Sequence, residues 1–404
     1  MRYLGNKTKL LADIEAFAKK QGVSGSTFFD CFAGTGVVGA HFKRLGYKVY
    51  SCDLLRSSYV SQVALIEVSE APAFRGLFGR KEFQRGFTFN SFKGAVAERV
   101  KAGGHPRMAK AVTVLDRFIE PEKGLIFRNY APSGLHGRRY FRDDHACKID
   151  GVLLRLRAWY HDGVLDKHEF YVLLKSVLEA SDRVANIAGV YAAYLKKWQS
   201  NTKGSLNFPT PELVPGPVGK AFCGDVNELV EQIYCDVLYA DPPYNTRQYA
   251  AYYHIREVMA ELHKIDDLEA YEKKLYGKTG LRPYDDLKSQ YCMRRREDGE
   301  QRCEKVFRDL IAKAKAEHIV ISYNEEGILS KEAIGQALAR FSGVEKFDAR
   351  KNLRRLRYRR FRSDSNGHNG RKYKILEGQA ADCVDEWLFY SRAKSEKNKK
   401  KSLK

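Results

Sequence analysis

The chain has 404 residues and a hydrophobic fraction of 44%, which predicts a folded protein of two or three domains. Its formal net charge of +21 favours a polyanionic partner, most simply a nucleic acid. The eight cysteines contain no Cys-x-x-Cys pair, which argues against a structural zinc site and a disulfide framework. A reduced, cytoplasmic compartment is the expectation. We find neither a signal-peptide core nor an apolar run near the ~20 residues that span a bilayer.

The N-terminal part of the chain predicts a β-α-β unit. After a helix over residues 8–20, the apolar pattern gives a strand at 27–32, a glycine turn at 33–36, a helix at 37–45 and a second strand at 48–52. This order is the start of an α/β domain.

The α/β alternation then stops. Residues 70–212 are basic, aromatic and mostly helical, with one or two long helices over 165–197, and the four prolines of 207–217 predict a linker. Strand patterns return at 222–225, 237–240, 319–323 and 384–390. We therefore expect a discontinuous catalytic domain (1–69 and 213–392), an inserted target-recognition domain (70–212) and a basic, disordered tail (393–404).

The most informative motif is Asp241-Pro242-Pro243-Tyr244, which follows a short buried strand. Two prolines remove two backbone donors and fix two φ angles, so the loop is stiff. It offers acceptors at the Asp241 carboxylate and the Pro242 carbonyl, and an aromatic face at Tyr244. That set suits a flat base with an exocyclic amine. Taken alone, the motif is equally a structural turn, because Asp is a frequent turn residue.

Acidic residues end three successive predicted strands, at Asp30, Asp53 and Asp225. The glycine turn that contains Gly34 and Gly36 lets a ligand approach the backbone, but the GxGxxG pattern of dinucleotide sites is absent. Asp30 suits a zwitterionic amino-acid group, Asp53 two ribose hydroxyls, and Asp225 an adenine amino group. Together they predict a site for S-adenosylmethionine, although each acid alone is as readily a cap or a turn residue.

Three motifs in this order resemble the alpha-class (Dam-like, D12-type) adenine-N6 DNA methyltransferases: Tyr3-Leu4-Gly5-Asn6-Lys7, Phe32-Ala33-Gly34-Thr35-Gly36 and the DPPY motif. The resemblance implies an α/β, Rossmann-like S-adenosylmethionine-dependent methyltransferase fold. Its sheet would be mixed and mostly parallel, with helices on both faces and a large, mostly helical inserted domain. The insert is longer than in the compact enzymes of this class, so their sequence specificity does not transfer.

The resemblance also implies roles for individual residues. Tyr3 and Lys7 would contact the cofactor, and Phe32, Ala33 and Gly34 would line its methionine pocket. Asp53 would bind the ribose, Phe222 and Asp225 would lie near the cofactor's adenine, and Asp241 and Tyr244 would hold the target base. The implied reaction is site-specific methylation of adenine N6 in duplex DNA after base flipping, by a monomer that a cognate restriction endonuclease can accompany.

Two basic segments are candidates for DNA contact. Eight of the thirteen residues 350–362 are Lys or Arg, and we expect phosphate contacts there from Arg354, Arg355, Arg357 and Arg359. In the segment 128–148, Asn129, Arg138 and Arg139 are candidate base readers in the major groove, against a structural role for the aromatic residues between them. Arg247, just after the DPPY motif, is expected to border the flipped base or its phosphate.

The residues alone leave four other functions open. The same chemistry could act on RNA, or on cytosine N4, although cytosine enzymes usually have Ser in place of Asp241. A non-catalytic nucleic-acid binder is disfavoured by the intact acids. A nicotinamide oxidoreductase is disfavoured by the missing third glycine.

Overall fold

The computed structural model describes residues 4–294, 296–297, 299–359 and 383–394, and for residues 296, 297, 358, 359 and 383 only the backbone. The N-terminal part forms the expected β-α-β unit. Its elements are α1 (Leu11–Lys20), β1 (Thr27–Asp30), α2 (Val37–Arg44), β2 (Lys48–Asp53) and α3 (Arg56–Gln62), which continues into a π-helical turn (Val63–Glu67).

A helical segment follows, as the sequence predicts for 70–212. It contains α4 (Arg75–Phe78), α5 (Lys81–Phe87), α6 (Asn90–Lys101), α7 (Pro106–Phe118), α8 (Leu125–Tyr130), α9 (Asp143–His161) and α10 (Lys167–Val184). The prediction of helix over 165–197 is wrong beyond Val184. There the Asn186 side chain donates to the carbonyls of Arg139 and Leu195, and this loop packing replaces helical hydrogen bonds.

The chain then returns to the sheet. The next elements are β3 (Lys220–Cys223), α11 (Val226–Leu229), β4 (Tyr234–Ala240), α12 (Tyr249–Tyr252), α13 (His254–Glu261) and α14 (Leu268–Glu272). The last are β5 (Arg296–Glu297), β6 (Glu300–Gln301), α15 (Arg302–Lys313), β7 (Lys315–Asn324), α16 (Lys331–Ser342), α17 (Ala349–Asn352), β8 (Leu353–Arg359) and β9 (Cys383–Arg392). Short 3₁₀ turns lie at 200–203, 230–232, 262–264, 285–287 and 290–292.

Within the described parts of the chain, seven strands form one mixed sheet in the order β3-β2-β1-β4-β7-β9-β8. The neighbours from β3 to β7 are parallel, and β9 runs antiparallel to both β7 and β8. Asp30, at the end of β1, pairs with Ser51 of β2 and with Tyr239 of β4. The carboxyl ends of these strands therefore meet at one edge of the sheet, where loops carry the functional motifs.

Apolar side chains alternate between the two faces of the sheet, as the pleat of a strand requires. Phe29, Leu238 and Ile319 belong to a core under α15 and α16, whereas their neighbours Phe28, Val237 and Val320 face α1 and α2. A third core joins the helices of 70–212 to α3, α13 and the residues that follow α13. The helical layer thus extends beyond the segment that the sequence marks as an insert.

Candidate active site

A cleft lies at the carboxyl edge of the sheet, and the three sequence motifs meet in it. Its empty volume is about 1020 Å³, open solvent at the mouth included. Of the residues predicted to bind a cofactor or a base, the lining includes Lys7, Asp30, Phe32, Ala33, Gly34, Asp53, Asp225, Asp241, Pro242, Pro243 and Tyr244. Segments that are far apart in the sequence, between residues 4 and 291, are therefore brought together here.

Asp53 holds the glycine turn in place. Its Oδ2 accepts from the Gly34 N–H at 2.8 Å, and its Oδ1 accepts from the Leu55 N–H at 2.8 Å. Gly34 has a φ of +50°, which glycine adopts without strain. Burial raises the pKa of Asp53 to about 6, against the backbone hydrogen bonds that lower it. The Ser58 side chain also hydrogen-bonds this carboxylate, so about one of its four lone-pair sites remains for a ligand.

Asp30 is the most deeply buried acid of the cleft. One oxygen accepts from the Gly39 N–H at 3.1 Å, and within the described residues the other oxygen has no partner. Burial raises its pKa to about 8, and the charges of Asp241 and Asp53 act in the same direction. An unpaired buried oxygen is costly unless a ligand supplies a donor. This atom therefore marks a place for a cationic or hydrogen-bonding group.

The N-terminal element lies against the DPPY corner. A Cβ atom at Gly5 (φ +76°) would meet the Tyr244 ring at 3.6 Å, and the Leu4 N–H donates to the Tyr253 hydroxyl at 2.8 Å. Asn6 accepts from the Thr8 N–H at 2.8 Å, which ends the loop just before α1. This places Lys7 inside the cleft. Tyr3, a predicted cofactor contact, lies outside the described residues.

Lys7 bridges two carboxylates. Its Nζ lies 3.0 Å from Asp241 Oδ2 and 2.9 Å from Glu386 Oε1, and Glu386 also accepts from the Ser322 hydroxyl. Burial alone would lower the pKa of Lys7, but Asp241 and Glu386 hold it well above its usual value. Lys7 is therefore protonated, and its ammonium group holds the Asp241 carboxylate in place. Strand β9 carries no motif, so Glu386 is not predictable from the sequence alone.

Asp241 occupies the end of β4 at the head of the stiff corner. Burial raises its pKa to about 7, Lys7 opposes that rise, and Glu386 adds to it. Pro242 is buried, and the carbonyl of Tyr244 accepts from the Ile328 N–H at 3.2 Å. The corner is thus held from both sides, with the Asp241 carboxylate and the Tyr244 ring both lining the cleft.

A wall that the sequence did not predict also lines the cleft. It consists of Leu287, Ser289, Gln290 and Tyr291. The Tyr291 ring packs edge-on against Phe32 with centroids 4.8 Å apart, and its hydroxyl donates to Asn227 at 2.6 Å. The residues of this wall follow a loop that contains no recognisable motif. Only the fold therefore shows that they line the cleft.

Two predicted cofactor contacts do not line the cleft. Gly36 (φ +77°) precedes α2, where a Cβ atom would come within 3.3 Å of Leu65. Phe222 is not among the residues that line the cleft, and its ring centroid lies 5.1 Å from the Lys220 ammonium. Both residues shape the elements beneath the site. Asp225 does line the cleft, and its carboxylate also caps α11 by accepting from the Asn227 N–H.

The structure corrects the role of two candidate base readers. Asn129 is buried and donates to the Leu125 carbonyl and to Glu272, both at 3.0 Å. Arg138 is 5% exposed and donates to the carbonyls of Asn129, Gly277 and Lys278. Their polar groups are therefore used to hold loops together and are not presented to a DNA groove.

The other predicted DNA contacts lie at the surface. Arg139 is exposed and donates to the Lys196 carbonyl at 2.8 Å, and Arg247 is exposed beside the DPPY corner. On the edge strand β8, Arg354 pairs with Asp13 at 2.9 Å, Arg355 pairs with Asp385, and Arg357 is exposed. The side chain of Arg359 and residues 360–362 lie outside the described part of the chain.

Two further features concern the class of protein. Among the described residues no group of three or more His, Cys, Asp or Glu side chains is arranged to hold a metal ion. Within the same residues, none of the helices has the length and apolar character that crossing a membrane requires.

Comparison with known proteins gives three informative relatives. The chain is 33% identical over 394 residues to the type II methyltransferase M.FokI of Planomicrobium okeanokoites, covering 96% of this chain and 52% of that protein. It is 31% identical to the modification methylase StsI of Streptococcus sanguinis, covering 93% and 51%. It is also 31% identical to the type II methyltransferase M.NlaIII of Neisseria lactamica, covering 92% and 96%.

The chain thus spans about half the length of the first two relatives and nearly all of the third. A family profile, D12 class N6 adenine-specific DNA methyltransferase, matches residues 3–335, which include all three motifs of the cleft. The chain belongs to the D12 class of N6 adenine-specific DNA methyltransferases.

Proposed function

We propose that this chain transfers a methyl group from S-adenosylmethionine to N6 of adenine in duplex DNA, at a specific sequence. The observation that carries the proposal is the convergence of Lys7, Asp53, Asp241 and Tyr244 on one cleft. Family membership supports the same activity. We also propose that the mixed sheet is the Rossmann-like sheet of these enzymes, and that residues 70–212 are an insert for target recognition.

The residues of the cleft fit S-adenosylmethionine. The unpaired Asp30 oxygen suits an ammonium donor, and the remaining lone pair of Asp53 suits a ribose hydroxyl. Phe32, Ala33 and Gly34 would lie along the methionine part, and Asp225 would lie near the adenine amine. When bound, this cofactor supplies an electrophilic methyl group on a sulfonium.

The chain's own residues would position the adenine amine. The lone pair of N6 is delocalised into the ring, so the amine is a weak nucleophile. Acceptors at Asp241 and the Pro242 carbonyl would bind the two amino hydrogens and favour a more tetrahedral nitrogen. Tyr244 would stack on the flipped base, as enzymes that act on bases commonly require. Preorganised polar groups and positioning would then supply most of the rate enhancement.

The positive charge of the chain and its family membership together indicate its binding partners. The exposed Arg139, Arg247 and Arg357, together with Arg355 of β8, would neutralise phosphates of duplex DNA. The names of the relatives, type II methyltransferases and modification methylases, support a role beside a cognate restriction endonuclease. We further propose a cytoplasmic protein, associated with the nucleoid through its DNA, that acts as a monomer.

One assay tests the activity. The purified chain is incubated with labelled S-adenosylmethionine and genomic duplex DNA or RNA, and the nucleosides are separated after digestion. We expect label in N6-methyladenine from DNA. Label in N4-methylcytosine, label only in RNA, or no label in either nucleic acid would contradict the proposal.

A further inference from the structure

Three surface loops outside the cleft are fastened into one unit. They are the residues 133–139, 186–198 and 276–281, which we call the loop cluster. Arg138 in the first loop donates to the carbonyls of Gly277 (3.0 Å) and Lys278 (3.1 Å) in the third. Arg139 donates to the Lys196 carbonyl in the second at 2.8 Å. Two arginines thus fix the relative positions of all three loops.

The contact between the first and third loops is close. A Cβ atom at Gly280 (φ +69°) would come within 2.6 Å of the Arg138 guanidinium and 2.9 Å of the Tyr130 ring. The Tyr130 hydroxyl donates to the Gly280 carbonyl at 2.8 Å. Such close packing holds the two loops in one arrangement, so the side chains that they expose are preorganised.

The charge of the loop cluster has one sign. Its residues include five Lys or Arg and no Asp or Glu. Arg138 is buried, whereas Arg139 is exposed and uses one guanidinium nitrogen on the Lys196 carbonyl. The exposed charges of the cluster are therefore Arg139, Lys196, Lys197 and Lys278. Asp143 of α9 accepts from Ser133 at the edge of the cluster, and with Asp144 it lies near Trp198. The loops themselves still carry an excess of positive charge, which favours a polyanion.

The same surface exposes large apolar side chains. Leu135, at the tip of the first loop, is 72% exposed, Tyr276 is 48% exposed and Trp198 is 36% exposed. Leu135 is held there by its own N–H, which donates to the Arg128 carbonyl at 2.7 Å. An exposed apolar residue whose backbone is held in place, in a loop cluster that also exposes lysines, resembles the wedges that proteins insert between base steps.

The loop cluster is continuous with the cleft. The third loop runs into the cleft wall at 287–291, and the Ser289 N–H in that wall donates to Gln248 beside the DPPY corner at 2.8 Å. The His254 ring lies 3.2 Å from the Thr279 carbonyl oxygen, and the Tyr191 N–H donates to the Tyr252 carbonyl at 2.8 Å. A duplex seated on the cluster would therefore lie next to the base pocket.

We propose that the loop cluster is a docking surface for duplex DNA, with Lys196, Lys197 and Lys278 on phosphates and Leu135 inserted at a base step beside the flipped adenine. The inference rests on the proposed function and adds the residues that seat the substrate. It also assigns a task to Arg138 and Arg139, which hold the surface together.

The charge part is tested by changing Lys196, Lys197 and Lys278 together to Gln. The control changes three exposed lysines elsewhere, Lys20, Lys81 and Lys346, to Gln. Affinity for a duplex that the wild type methylates is measured at several salt concentrations. We expect the slope of log affinity against log salt to become shallower by about 2.7 in the loop variant, since each phosphate contact contributes about 0.9. A slope equal to that of the control would overturn the proposal.

The wedge part is tested with Leu135→Ala against Val344→Ala, since Val344 is 51% exposed in a different region. A duplex with 2-aminopurine at the methylated position reports base flipping by fluorescence. We expect Leu135→Ala to reduce the fluorescence rise at least twofold and Val344→Ala to leave it unchanged. An equal rise in both variants would overturn the wedge.

The outcomes separate this inference from the proposed function. If the wild type methylates duplex DNA and the loop variants match their controls, only the loop cluster assignment fails. If the wild type methylates no duplex DNA, the proposed function fails, and the docking surface fails with it.

Discussion

The Lys7 ammonium lies 2.9 Å from Glu386, a residue of β9 that lies beyond the part of the chain matching the family. The same ammonium lies 3.0 Å from Asp241 of the DPPY corner. Glu386 is fully buried, and Lys7 is 6% exposed. Glu386 therefore helps to hold the Lys7–Asp241 pair in place, and we expect it to act as a positioning residue for the carboxylate that would hold the target amine.

Glu386→Gln should alter the rate without altering cofactor binding. Glu386 raises the pKa of Asp241, so loss of its charge should move the midpoint of the pH–rate profile to lower pH. We expect the turnover number to fall about tenfold, or about 1.4 kcal/mol, with the KM for S-adenosylmethionine unchanged. Glu317→Gln, at an exposed position on β7, is the matched control. An unmoved pH profile in Glu386→Gln would contradict the positioning role.

The wild-type rate should depend on pH near neutrality. Burial raises the pKa of Asp241 to about 7, and its ionised form is the better acceptor for the amino hydrogens. Since an acid loses its proton as pH rises, the single-turnover rate should increase through about pH 7 and level off above about pH 8. The measurement uses saturating DNA and cofactor. A rate that is constant from about pH 5.5 to 8 would show that Asp241 does not titrate there.

Much of this site could be predicted from the sequence. A short strand that ends in an acid, followed by a stiff or glycine-rich turn, is a local feature. The sequence alone therefore predicts Asp30, Asp53 and Asp241 at strand ends. The adjacency of parallel strand ends then brings them together. Lys7, in the N-terminal motif, joins the same cleft.

Other features depend on contacts between distant segments. Asn129 and Arg138 have the side chains of base readers, and only the fold shows that carbonyls and Glu272 use their donors. The helix expected over 165–197 ends early because loop contacts to Asn186 override local propensity. No local sequence pattern around Glu386 or Tyr291 indicates that either residue belongs to the site.

Asp53→Asn should weaken cofactor binding. Asp53 accepts from the N–H groups of Gly34 and Leu55, and an amide has a single acceptor oxygen, so one of the two donors loses its partner. We expect at least a tenfold loss of S-adenosylmethionine affinity, or about 1.4 kcal/mol, by titration calorimetry. Glu228→Gln, an exposed change on α11, serves as control. Equal affinities of Asp53→Asn and the wild type would remove Asp53 from the cofactor site.

The buried ion pair between Arg256 and Asp182 should be important for stability. It joins α13 to α10, with side-chain exposures of 1% and 4%, and Asp182 also accepts from the Tyr191 hydroxyl. Arg256→Leu leaves a buried carboxylate without its cation, so we expect a loss of about 3–5 kcal/mol in the free energy of unfolding. Urea denaturation measures it. The double change Arg256→Leu and Asp182→Leu should lose less than the sum of the single changes, and strict additivity would contradict the coupling.

The central claim is that the Asp241 corner holds the target adenine beside the cofactor cleft. The most direct test measures cofactor binding and methyl transfer to duplex DNA in parallel for the wild type and Asp241→Ala. We predict a cofactor affinity within about threefold and a transfer rate reduced by a factor of at least about 10². Methylation of adenine N6 by Asp241→Ala at the wild-type rate would contradict the account.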